Sequence, residues 1–224
     1  MTVILVLLTF LAFVILDVVL SRRRAARPAP VAHATTIAPR LAPEPAVVDG
    51  FRVPERYRYH AGHGWLLPER KHLYRVGMDD FAAALAGPID GISLPEPGHW
   101  IRQGQKAWTL EREGAKAAMV SPVEGEVVEI NAQVLEDPSL VRKDPYGNGW
   151  LFTVHVPDDE STLRNLVPVR LVKSWMREAA ERLYALQPQI AGVVAADGGM
   201  ASVDVFSGLA DLTWSDATRE FFLP

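Results

Sequence analysis

Hydrophobic and polar positions change pattern four times along the 224 residues. Residues 3–20 form an apolar run broken only by Thr9 and Asp17. As a helix rising about 1.5 Å per residue, the run spans about 27 Å, one bilayer core. Residues 28–50 hold many prolines and alanines and show no period of 2 or 3.6, which predicts a semi-extended tether of roughly 70 Å. From residue 51 onward, short apolar stretches alternate with Gly- and Pro-rich breaks. Strands are expected at 65–67, 74–76, 91–94, 107–110, 127–130 and 150–156, with a short helix at 79–86 closed by Gly87-Pro88. Many short strands with frequent turns argue for a flattened barrel or sandwich rather than a parallel α/β sheet.

Beyond Pro157 the period lengthens. Leu171, Val172, Trp175, Met176, Ala179, Leu183 and Leu186 recur at helical spacing, with Pro168 in the first turn and Gln187-Pro188 as the stop. The stripe is expected on the barrel, with a partner groove or the membrane surface as alternatives. Asp197-Gly198-Gly199 predicts a turn between apolar runs. Ser215 is the expected cap of a final helix that docks Trp214, Phe221, Phe222 and Leu223. The layout is therefore a transmembrane helix at 1–21, a basic then Pro/Ala-rich linker at 22–50, a β domain at 51–160 and a helical extension at 161–224.

Charge sets the expected orientation of the first helix. Arg22, Arg23, Arg24 and Arg27 follow it and no basic residue precedes it. The side bearing the arginines is expected to be cytoplasmic, with the N-terminus outside and the soluble part held at the cell membrane by a single pass. Asp17 lies about one turn from that end, where it reaches headgroups or meets a partner's helix. Five arginines against Asp17, Glu44 and Asp49 leave residues 1–50 at +2, so residues 51–224 carry −6 of the total −4. A part so acidic is a poor match to a nucleic-acid binder. The absence of cysteine removes disulfide scaffolds, cysteine-ligated metals and thiol catalysis. His60 and His63 lack a third candidate ligand and are expected to be ordinary surface or strand residues rather than a metal site. No nucleophile–base order, phosphate loop or paired-carboxylate signature stands out, so an enzyme is not expected.

Five segments stand in a telling order: His63-Gly64-Trp65; residues 76–87, VGMDDFAAALAG; Leu94-Pro95 with Gly98; residues 121–131, SPVEGEVVEIN; and residues 144–154, DPYGNGWLFTV. Together they resemble the H protein of the glycine cleavage system, over roughly 100 residues. The resemblance implies a mainly β lipoyl/biotinyl-type barrel-sandwich hybrid. It also implies a lipoyl-bearing lysine at the tip of a tight hairpin, seven residues before the serine of Ser-Pro-Val. Here that position is Gly114, and Glu111-Arg112-Glu113-Gly114-Ala115 aligns with the family's Glu-Ser-Val-Lys-Ala.

Two accounts follow. In the first, the hairpin is unmodified and no cofactor is present. The protein is then a non-catalytic accessory subunit that docks a protein partner in a membrane complex. In the second, the register has shifted and Lys116 carries lipoate, making a membrane-tethered shuttle of aminomethyl groups or reducing equivalents. The first is the expectation and the second the alternative.

Overall fold

Glycines and prolines cut the β-rich segment into strands of two to seven residues. The computed structural model describes residues 46–186 and 213–223. Strands β1 (Ala46–Val48) and β2 (Phe51–Val53) form a hairpin of their own. A six-stranded antiparallel sheet follows from β3 (Arg58–Tyr59), β4 (Gly64–Arg70), β5 (Leu73–Met78), β7 (Trp100–Ile101), β10 (Gly125–Ile130) and β11 (Phe152–His155). Its spatial order is β3-β4-β5-β11-β10-β7. A three-stranded sheet takes β6 (Gly91–Ser93), β8 (Lys106–Arg112) and β9 (Ala115–Val120), in the order β6-β8-β9.

The two sheets share one core. Trp108 of the small sheet meets Phe152 of the large one edge-on, ring centroids 5.7 Å apart. Trp65, Leu66, Val76, Leu110, Met119 and Val154 are buried with them. Trp65 donates its indole hydrogen to the Met78 carbonyl at 2.8 Å and the Pro145 carbonyl at 3.1 Å. Its ring lies against Gly77, where a Cβ would approach Trp65 Cζ2 to 2.3 Å. Glycine is therefore required there by contact.

Helix α1 (Asp80–Ala86) starts where the sequence places it. The Asp79 carboxylate caps it by accepting from Ala82 N, and Gly87 at φ 65° ends it. Short helices α2 (Ala132–Glu136), α3 (Leu140–Lys143) and α4 (Asp159–Arg164) fill the connections around β11. The expected 168–186 helix opens with a 3-10 turn at Val169–Leu171, and α5 runs over Val172–Ala185. Its stripe packs on the barrel: Val172, Met176, Ala179 and Leu183 are buried, and Trp175 lies 6.1 Å from Tyr59. Leu171 departs from the expectation because the 3-10 turn swings it outward. The final helix, α6 (Trp214–Phe222), is capped by Thr213, which accepts from Asp216 N. That corrects Ser215: the cap lies two positions earlier, so Ser215 lies inside the helix. Phe221 reaches Phe81 of α1 at 5.1 Å, and Trp214 donates to the Ala86 carbonyl at 3.0 Å.

The expected membrane helix, Arg22, Arg23, Arg24 and Arg27, most of the linker and the Asp197-Gly198-Gly199 turn lie outside the described residues. Among the described residues no helix is long and apolar enough to cross a membrane.

Candidate functional site

The β8–β9 hairpin projects the site. Leu110 opposes Ala117, Glu111 opposes Lys116 and Arg112 opposes Ala115, leaving Glu113 and Gly114 as a two-residue turn. Both turn residues have positive φ, 51° and 80°. This is the primed-turn geometry whose twist suits a tight hairpin, and glycine is at ease in its second position. The tip is pinned from the side, since Glu113 N donates to the Asp90 carboxylate and Asp90 N donates to the Glu111 carbonyl. A Cβ on Gly114 would meet nothing within 4 Å. Space at the tip is open, and only the backbone conformation prefers glycine.

Lys116 sits two residue pairs below the tip, on an edge strand. Its side chain is 68% exposed, and its Nζ lies 2.9 Å from Glu111 Oε1 across the strands. The structure thus separates the two residues the sequence singles out. Gly114 forms the tip without an amine, and Lys116 offers an amine off the tip. A lipoyl group joined by an amide does not fit Gly114, which has no side chain. Lys116 fits chemically, because an exposed primary amine can be acylated, but its position differs from the one the resemblance implies.

Behind the hairpin, the serine of Ser-Pro-Val sets its base. Ser121 is fully buried and its hydroxyl donates to the Val123 carbonyl at 2.7 Å. Backbone bonds from Ser121 N to Gln105 O and Gly104 N to Ser121 O clamp the far ends of β8 and β9. The 144–150 loop is held through Asp144, which accepts from Asn148 N at 2.7 Å. Asn131 donates to the carbonyls of Asn148 and Trp150.

The two histidines have separate settings. His63 Nδ1 lies 2.8 Å from Asp79 Oδ2, both side chains buried. Its ring stacks between Phe81 at 4.2 Å and Trp175 at 4.7 Å. His60 Nδ1 instead accepts from Gly62 N at 3.0 Å. Burial lowers the His60 pKa, and the neighbouring His63 lowers it further. Sequence reasoning missed the His63–Asp79 pair. Its only linear signal was a histidine ahead of a tryptophan and an aspartate at a helix start, sixteen positions apart.

Two antiparallel sheets around one core, with a tight hairpin presented to solvent, define the class of mainly β lipoyl-type sandwich domains. Within that class the chain belongs to the glycine cleavage H-protein family, whose profile, Glycine cleavage H-protein, matches residues 57–179. It is 36% identical over 106 residues to the glycine cleavage system H protein of Alteromonas mediterranea, covering 47% of this chain and 82% of that one. It is also 36% identical over 110 residues to the H protein of Streptomyces coelicolor, covering 49% of this chain and 88% of the relative. The crystal structure of a glycine cleavage system H protein from Mycobacterium marinum aligns with a TM-score of 0.49 and 25% identity. That alignment covers 57% of this chain and 98% of the other.

Proposed function

We propose that the chain is a carrier of the H-protein type and that Lys116 is the residue bearing its arm. The carrying observation is the exposed Lys116 amine beside the tip of the β8–β9 hairpin, inside the family-matched segment. When attached, a lipoyl group would supply a dithiolane able to take up an aminomethyl group or reducing equivalents. The chain's own residues present it: the primed turn and the Asp90 contacts hold the hairpin rigid, and Glu111 must release Lys116, because an amide no longer carries the ammonium charge.

One observation favours a second reading. Gly114 occupies the tip, the position a ligase reads in this family. The hairpin would then be a bare docking surface, and the protein a non-catalytic accessory subunit with no cofactor. Under both readings its partner is a protein. We also infer a single-pass membrane anchor at 3–20, with the barrel on the cytoplasmic side. The support is the apolar run and the four arginines behind it.

Intact mass of the chain purified from its native membrane, with mapping of the peptide spanning 111–120, tests the first reading. One lipoyl increment on Lys116, lost in Lys116→Arg, is the expected result. An unmodified mass, in cells whose other lipoyl proteins are fully modified, overturns the carrier reading and leaves the docking one.

A further inference from the structure

The family profile ends at residue 179, so α6 is an addition to the matched segment. It lies against β9, the strand that carries Lys116. Where helix and strand meet, Lys106, Lys116, Ser215 and Arg219 border a cleft of about 110 Å³. Ala117, Ala118, Thr218 and Leu223 complete its lining. Lys106, Lys116 and Arg219 are all exposed. Three cations thus meet at one place on a part of the chain, residues 51–224, that carries −6. Of the three, Lys116 alone sits on a carboxylate among the described residues, and that carboxylate, Glu111, lies on the hairpin itself.

We propose that this cleft is a docking site for an acidic segment of a protein partner, which brings its carboxylates to Lys106, Lys116 and Arg219 beside the hairpin tip. This rests on the reading above that the hairpin meets a protein. Two lysines on flexible stems and one arginine fork suit several carboxylates spread along a chain, because a lysine acts as a point charge rather than a bidentate clamp. The Glu111–Lys116 pair displays the same contact within the molecule. A cationic spot on an acidic domain also orients an approaching acidic partner, whose wrong faces are repelled by the rest of the surface. Acylation of Lys116 removes one charge and leaves Lys106 and Arg219, so the cleft and the arm are separable by experiment.

The test uses the full-length chain in a neutral maltoside detergent, with fluorescein-labelled deca-glutamate as probe and fluorescence anisotropy as readout. Intact mass of the same preparation reports the state of Lys116 independently. Binding is expected to weaken with added salt and to fall at least about fivefold in Lys106→Glu/Arg219→Glu. Arg70→Glu/Lys71→Glu, on the exposed β4–β5 turn, is the charge-matched control and should bind nearly as the parent does. Equal loss in both variants overturns the site, as does no binding by the parent chain. If inorganic phosphate displaces the peptide far better than chloride at equal ionic strength, the cleft takes a small anion and the protein-docking assignment fails.

Discussion

At the scale of the residue, the hairpin tip joins backbone conformation to chemistry. Gly114 lies at φ 80° with open space around it, so a side chain there is limited by the backbone rather than by neighbours. A lysine in that left-handed position costs about 1 kcal/mol, little enough for the fold to accept. Gly114→Lys should therefore fold, melt slightly earlier and become lipoylated when expressed with a lipoyl ligase, as a mass increment on the 111–120 peptide would report. A variant that stays unmodified would mean that features beyond the missing amine block the ligase. Gly114 itself was legible through the resemblance, which places the lipoyl lysine seven residues before the serine of Ser-Pro-Val, a distance that can be counted back from Ser121. The Lys116–Glu111 contact was not, since cross-strand partners depend on the turn having two residues rather than three or four.

At the scale of the element, α6 shows how helix and sheet share one core. Phe221 is 1% exposed and meets Phe81 of α1 at 5.1 Å. Phe221→Ala should cost about 3–5 kcal/mol, read as a lower urea midpoint with α5 retained. The sequence revealed this helix through Trp214, Phe221 and Phe222, but misplaced its cap by two positions. Thr213 and Ser215 are both capping residues, and which one acts depends on where α1 receives the indole of Trp214. Strand β9 escaped notice as a strand because its residues 115–118, AKAA, favour a helix. Pairing with β8 overrides that propensity. The two-residue strand β7 was hidden in a turn-rich connection, and it exists because Trp100 and Ile101 pair with β10.

At the scale of the whole molecule, the barrel is expected to respond to acid through His60, in the connection between β3 and β4. The folded-state pKa of His60 is depressed, because burial and then the nearby His63 disfavour its charged form. The unfolded chain takes up that proton near the ordinary pKa of about 6.5, while the folded chain does so only at lower pH. The stability associated with neutral His60 is thus present above about pH 6.5 and is lost as pH falls below it. Protonation would also end the acceptance from Gly62 N. Urea midpoints measured from pH 7.5 down to 5.5 should fall less steeply in His60→Asn than in the parent, and parallel slopes would remove His60 from the account. At this scale the mainly β architecture was legible from turn spacing and motif order, whereas the partial burial of His60 depends on contacts no linear pattern records. The bond from Trp214 to Ala86 spans 128 positions. During synthesis, α1 must therefore wait for residues near 220 to leave the ribosome before its aromatic contacts are complete. Until then Phe81 lacks the Phe221 contact, and this nascent barrel is a natural client for chaperones that bind exposed aromatic side chains.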